Sequence, residues 1–392
     1  MLELDATTDA PVQGWPNAGT LGYQLDSRLA RLLRALGQGE HVERSLRMVK
    51  ALTRGWRDEL VSGGPRWRSD ITDDQSPFEF SLSLDGSSEV LRILTEPQDV
   101  QRPSLRASWQ AASDVHEELA RYWGAGFAGY ERVADLFEPR ATDEGVFSVW
   151  HSAVIGKPRG TEFKIYLNPA IHGAQDAERI VAEALGRLGL GSPWQAVARN
   201  AMQRAGLDQV IYFSLDLADA SDARAKIYVA HKQASAADVA RALEQCPGFE
   251  AEDVGRWCQH LLGSRGPFYD RPPITCFALS RGTLDLHTTT LHLPVRCYAQ
   301  DDFDIARRVC TLLRFPQRVN YMRALTQLAE RPLESGSGLQ TYASLRASPG
   351  REAVTMYLAP QLYTSGQVRE AEAPARFFSW TPSSRVDRAF AS

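Results

Sequence analysis

Apolar positions along the chain switch repeatedly between helical and strand periodicity. The run Asp26-Ser-Arg-Leu-Ala-Arg-Leu-Leu-Arg-Ala-Leu brings its apolar residues round every three or four positions and stops at Gly37, as an amphipathic helix does. A second helical pattern covers 41–61. Two alternating runs follow, 77–84 and 89–95, joined by Asp85-Gly86-Ser87. Asp-Gly between alternating segments signals a hairpin. The same order then returns four times. Helices are expected at 104–122 and 127–137, 175–189 and 194–205, 235–246 and 252–263, and 302–314 and 318–331. Strand pairs are expected at 145–155 and 161–168, 208–217 and 224–231, 274–281 and 285–294, and 338–347 and 353–360. Five ααββ units make an α+β chain with ten antiparallel strands. Closing those strands into a β-barrel surrounded by helices removes every exposed edge. Ten strands leave a lumen wide enough for ligands. One domain is expected over 23–365, after a flexible tail at 1–22 that is rich in Asp, Thr, Pro and Gly. Residues 366–392 form a C-terminal extension.

Within this pattern one strand design recurs. Val90-Leu-Arg92-Ile-Leu, Phe163-Lys164-Ile-Tyr166-Leu and Arg224-Ala-Lys226-Ile-Tyr228-Val each carry a base, and the last two add tyrosine two residues later. Thr290-Leu-His292-Leu-Pro294 is a degenerate copy, and Val354-Thr355-Met-Tyr357-Leu keeps the tyrosine without the base. Spacings of 62, 66 and 65 residues separate Lys164, Lys226, His292 and Tyr357, so one unit is being repeated with the same face reused. Residues two apart on a strand share a face. Ile165, Leu167, Ile227 and Val229 then form a core beneath the helices, while Lys164, Tyr166, Lys226 and Tyr228 face the lumen. Arg92, Arg224 and Arg346, the last on Gln340-Thr-Tyr342-Ala-Ser344-Leu-Arg346, join them. Arginine forks with lysine point charges suit a diphosphate. Tyrosine faces beside them suit a developing carbocation.

Composition narrows the field. The chain has 392 residues, 23% charged and 43% hydrophobic, with a net charge of −4. An acidic chain is no nucleic-acid trap, and any positive charge that matters is local. No run approaches the length of a membrane helix, and Met1-Leu-Glu-Leu-Asp is no signal peptide, so a cytoplasmic protein without membrane or nucleic-acid partners is expected. The five cysteines contain no Cys-x-x-Cys and read as small buried hydrophobes. Neither a Gly-x-x-x-x-Gly-Lys-[Ser/Thr] nor a Gly-x-Gly-x-x-Gly motif sits at a strand–helix junction. Asp73-Asp74 and Asp301-Asp302-Phe-Asp304 lack the DDxxD spacing that holds magnesium on a diphosphate. Asp74, just before a strand, suits a turn or cap.

Two further residues are candidates for chemistry. Glu79, alternating with Ser81, points inward by parity, where a carboxylate among cations stays ionised and accepts a proton; the alternative is a plain salt-bridge partner. His151 shares parity with Phe147 and Val149 and is expected in the lumen, unless it is simply a satisfied polar group.

The motifs Ser76-Pro77-Phe78-Glu79-Phe80-Ser81, Leu91-Arg92 through Glu96-Pro97, Phe163-Lys-Ile-Tyr-Leu-Asn-Pro169 and Arg224-Ala-Lys226-Ile-Tyr228 are specific as a set. Through them the chain resembles the aromatic prenyltransferases of the dimethylallyltryptophan synthase type, especially the bacterial members, from about residue 25 to 365. The resemblance implies the ABBA or PT-barrel fold and metal-independent Friedel–Crafts alkylation of an indole. The donor would be dimethylallyl diphosphate, the acceptor tryptophan or a tryptophan-derived compound, with no cofactor and no essential Mg2+. In that family the glutamate of Pro-x-Glu-x-Ser bonds the indole N–H, which here falls on Glu79. Arg92, Lys164, Arg224, Lys226 and Arg346 fall on diphosphate-binding positions, and Tyr166, Tyr228 and Tyr357 on the shield over the allyl cation. Thr290-Leu-His292 replaces the Gln-x-Tyr of fungal members; His292 is grouped with the diphosphate-facing side chains, with an imidazole standing in for a shield member. Fungal members carry a lysine, a proposed base, about where His151 lies. Small-molecule substrates are the expected partners, in a monomer or homodimer. Two other readings stay open: prenylation of tyrosine or another phenolic acceptor, and a non-catalytic carrier of an isoprenoid diphosphate.

Overall fold

Ten antiparallel strands pair in chain order, and the first closes on the last to complete a barrel. The computed structural model describes residues 19–85, 89–156, 162–219, 223–280, 289–348, 351–364 and 367. Most of the expected N-terminal tail, the C-terminal extension from 368 onward, the Gly86-Ser87 turn and the first part of the 285–294 strand lie outside the described residues. Five units follow one another. The first comprises α1 (Leu21–Ala35), α2 (Val42–Thr53), β1 (Phe78–Leu84) and β2 (Glu89–Thr95). The second has α3 (Leu105–Trp123), α4 (Ala128–Glu131), β3 (Val149–Ile155) and β4 (Phe163–Leu167). The third has α5 (Ala177–Leu188), α6 (Gly191–Ala201), β5 (Asp208–Asp216) and β6 (Ala225–His231). The fourth has α7 (Ala236–Ala242), α8 (Ala251–Leu262), β7 (Ile274–Leu279) and β8 (Thr290–Leu293). The fifth has α9 (Asp302–Leu312), α10 (Phe315–Leu328), β9 (Gln340–Ser348) and β10 (Arg351–Leu358).

Local chemistry sets many of the boundaries. Thr20, still inside the expected tail, caps α1 by accepting from the Tyr23 N–H. Ser104 caps α3, which ends at Gly124 with φ 70°, a left-handed turn that glycine adopts without strain. Ser235 and Asp238 form a reciprocal capping box on α7. The helix expected at 127–137 shrinks to α4 and a 3-10 turn at Ala134–Leu136. Gly129 and β-branched Val133 are weak helix formers, and Val133 and Phe137 are fully buried as anchors of the turn.

Alternation sorts each strand into an outer and an inner face. Ile165, Leu167, Ile227, Val229, Val354 and Met356 pack in the large apolar layer between barrel and helices, as their parity requires. Phe78 stacks on Trp56 of the segment after α2, with centroids 6.2 Å apart. Burying such a side chain contributes roughly 1.5–3 kcal/mol, so this outer layer carries the fold. The inner face is thereby released for polar groups. Among the described residues no helix is long and apolar enough to cross a membrane.

Candidate active site

The inner faces enclose a cavity of about 260 Å³, room for small organic molecules rather than a single water. Its character changes along the barrel axis. Arg92, Lys164, Arg224, Lys226 and Arg346 all line it, and Asp216 stands behind two of them as their carboxylate partner. Register makes this end: Lys164 lies opposite Asp216 across the β4–β5 pair, and Ser214 lies opposite Lys226 across β5–β6. Asp216 ion-pairs with Lys164 Nζ and accepts from Arg224 Nε at 2.8 Å. Arg346 reaches Asp85 at 3.6 Å and is partly exposed at the rim. Arg92 and Lys226 have no carboxylate partner among the described residues. Buried or half-buried cations without counter-ions leave a surplus of positive charge that an anion would neutralise.

Midway along the lumen runs a belt of rings. Tyr166 and Tyr228 have centroids 5.9 Å apart, Tyr228 and His292 5.8 Å, and His292 and Tyr357 5.6 Å. Tyr228 donates its hydroxyl to Tyr166 at 3.4 Å. Burial pushes the Tyr166 phenol up to about 12 and raises Tyr228 and Tyr357 as well, so the belt stays neutral. His292 was expected among the diphosphate-facing groups and also as an imidazole standing in for a shield member; it sits inside the ring belt, as the second expectation has it. Burial, helped by Lys226, pushes its imidazole down to about 3, and it joins the belt as an uncharged aromatic.

The opposite end is built around Glu79. It is 7% exposed and accepts a 2.7 Å hydrogen bond from the Thr341 hydroxyl. Tyr212, Trp150, Tyr342 and Arg271 line the cavity with it. Residues 70–73 also line it, between α2 and β1. Asp73 holds this segment by ion pairs to Arg271 and Arg296, while Asp74 accepts from Thr72, Ser76 and the Tyr363 N–H. Asp74 is thus the turn residue its position implied. Asp301 caps α9, and buried Asp302 takes Arg331 and the backbone of Leu339 and Gln340, so neither aspartate faces the lumen cations.

Two expectations are overturned. Glu79 does not stay ionised through a surrounding cation cluster. Burial pushes its carboxyl up to about 8, against the pull of the Thr341 hydrogen bond and of Arg271, because the main cations lie at the other end. His151 is not in the lumen. Trp150 and Ser152 face the cavity, so His151 between them points into the helix layer, where its Nε2 lies 2.9 Å from His116 Nε2 on α3. Phe147 misled the parity argument: it stacks on Trp150 at 4.0 Å, which breaks strict alternation just before β3 begins. Burial holds both imidazoles down, His116 to about 4.

Several lining residues escaped sequence reasoning. Tyr342 sits on the inward parity of its strand and was within reach of it, as was Asp216, the carboxylate partner of the lining residues Lys164 and Arg224. Tyr212 follows an irregularity between Val210 and Tyr212, after which both Ile211 and Tyr212 pack on the lumen side. Arg271 and residues 70–73 lie outside the strands, where periodicity carries no signal.

Barrel and lumen together form one chamber with clustered cations at one end, a belt of aromatic rings in the middle and a buried carboxyl at the other end. The family model described as tryptophan dimethylallyltransferase matches residues 51–323. The structure is similar to 6-dimethylallyltryptophan synthase from Micromonospora olivasterospora, solved in complex with DMASPP and Trp, at 30% identity and TM-score 0.81 over 88% of this chain and 98% of that one. It is similar to 5-dimethylallyltryptophan synthase from Streptomyces coelicolor at 28% identity and TM-score 0.80, over 88% and 99% of the two chains. AnaPT from Neosartorya fischeri shares the fold at 14% identity and TM-score 0.70, over 85% and 91%. The chain belongs to the tryptophan dimethylallyltransferase family and is a prenyltransferase.

Proposed function

We propose that the protein transfers a dimethylallyl group from dimethylallyl diphosphate to the indole ring of tryptophan, without a metal ion. The observation that carries this is the pair of lumen cations, Arg92 and Lys226, that have no carboxylate partner among the described residues, beside a neutral ring belt. The donor diphosphate lies on Arg92, Lys164, Arg224 and Lys226, with Arg346 at the rim. As the carbon–oxygen bond breaks, negative charge grows on the diphosphate where the cations already stand, which stabilises the leaving group in place of a metal. Tyr166, Tyr228, His292 and Tyr357 shield the allyl cation, each aromatic face contributing on the order of 0.5–2 kcal/mol. Glu79 accepts the indole N–H and sets the angle of the ring. The indole carbon attacks the cation, and the ring proton leaves to a base in the lumen other than His151. The same acceptor, tryptophan, is bound in the Micromonospora relative, which supports the reading. A carrier has no need of a buried carboxyl across the belt from the diphosphate.

Incubation with dimethylallyl diphosphate and tryptophan in EDTA tests this directly. The expected product is tryptophan bearing one dimethylallyl group on a ring carbon, read by mass and NMR. Activity absent in EDTA and restored by magnesium would refute the metal-free route, and no product under either condition would refute the reaction.

A further inference from the structure

Lys164 is the most enclosed cation of the anion end, only 8% exposed, and it shares that space with Arg92, Arg224 and Lys226. Desolvation and like charges both favour the neutral amine. One carboxylate opposes them. Asp216 lies directly across the β4–β5 ladder from Lys164, with Oδ1 on Nζ and Oδ2 on Arg224 Nε at 2.8 Å and on the Arg224 N–H at 3.3 Å. The terminal nitrogens of Arg224 carry no hydrogen bond among the described residues, so its outer edge remains available to an anion.

We propose that Asp216 is a positioning residue for the diphosphate site: it keeps the Lys164 ammonium protonated and turns both Lys164 and the outer edge of Arg224 toward the lumen. The inference rests on the proposed donor site and adds a residue that no cation count would include, since a carboxylate beside a diphosphate is repulsive at first sight. Its value lies in what it prevents. Lys164 is already pushed down to about 8 by burial and by Lys226, with Asp216 pulling the other way; without Asp216 the amine would hold its proton less tightly still. Burial alone would raise the Asp216 carboxyl, yet Lys164 and Arg224 hold it below its ordinary value, so it remains an anion across the working range. The other groups facing this space do not replace it. Lys226, Arg224 and Arg92 are cations, the Cys276 thiol is pushed up by burial and stays neutral, and the charge of Glu162, also at the cavity wall, bears on Arg224 and is not among those that shift Lys164.

The test is the pH dependence of dimethylallyl thiolodiphosphate binding, by calorimetry from pH 7 to 9.5, where the second ionisation of a phosphate ester is essentially complete. Wild-type affinity is expected to hold to about pH 8 and then fall as Lys164 deprotonates in the free enzyme. Asp216→Asn is expected to begin that fall about one pH unit lower, in line with the effect of one neighbouring charge. Adding Lys164→Arg to Asp216→Asn is expected to flatten the profile, because arginine keeps its proton. Lys164→Arg alone should lose the alkaline fall, which keeps the test informative if Asp216→Asn folds poorly. An unshifted fall in Asp216→Asn, a uniform loss at every pH, or an alkaline fall persisting in Lys164→Arg would overturn the proposal. Failure of the wild type to bind the analogue at any pH would sink the donor site itself, and this role with it.

Discussion

Thr341 donates its hydroxyl to Oε1 of Glu79 at 2.7 Å, joining the first strand of the barrel to the ninth across 262 residues of chain. The bond orients a carboxyl that the fold otherwise penalises. Glu79 is buried at the end of the lumen away from the main cations and is pushed up to about 8. Under the proposed function it would meet the acceptor as a group able to exchange a proton near neutrality, which is what general acid–base work requires.

Glu79→Gln is expected to lower kcat by about 10²-fold or more, the usual weight of one acid–base group, with donor affinity changed less than about three-fold. In the wild type, kcat/KM for the acceptor should rise with pH up to about 8 as the carboxylate forms, and the variant should lose this limb. Stability moves the other way. The raised pKa means that Glu79 contributes stability fully below the ordinary carboxylate range and loses it as pH rises toward 8. Glu79→Gln should therefore raise the thermal midpoint at pH 8, and equal midpoints would contradict the burial argument.

Lys226→Ala and Arg92→Ala each remove a lumen cation that has no carboxylate partner among the described residues. A charge-assisted hydrogen bond contributes roughly 1.5–3 kcal/mol, so donor affinity should drop about 10- to 100-fold in each. Calorimetry with the thiolodiphosphate checks this. Unchanged affinity in both variants would remove the diphosphate from this end of the barrel.

Tyr228 touches Tyr166, Tyr212 and His292 at once. Tyr228→Phe keeps the ring face and should retain kcat within about five-fold, whereas Tyr228→Ala should lose roughly ten-fold or more, as expected for a cation–π partner. Equal losses in the two would assign the role to the hydroxyl instead.

The His116–His151 contact lies outside the lumen and bears on stability. Burial lowers both imidazoles, so the fold favours their neutral forms; that stability is present above the ordinary histidine range and is lost as pH falls from 6.5 toward 4. Between these values His116→Gln should show a flatter dependence of thermal midpoint on pH than the wild type. Turnover at pH 7.5 should stay within about two-fold. A large loss of turnover with an intact fold would return this pair to the chemistry.

Much of the architecture was legible because two periodicities repeat five times, and the parity of Lys164, Tyr166, Lys226 and Tyr228 followed from it. Where alternation breaks, legibility broke too. Phe147 and Trp150 share a side across an irregular start to β3, and that reversed the placement of His151. Burial is a three-dimensional quantity that no spacing reports, so the protonation of Glu79 and His292 could not be read in advance. Arg271 and the 70–73 segment reach the lumen from loops, and only tertiary packing brings them there. Asp216 was readable by parity, but a carboxylate among cations becomes meaningful only when its partners are seen.

A crystal structure with dimethylallyl thiolodiphosphate and tryptophan bound together tests the division of the lumen most directly. The diphosphate is expected on Arg92, Lys164, Arg224 and Lys226, the allyl carbon against Tyr166, Tyr228, His292 and Tyr357, and the indole nitrogen about 3 Å from Glu79, an ordinary hydrogen-bond distance. A diphosphate seated at Arg271, or an indole nitrogen out of reach of Glu79, would contradict it.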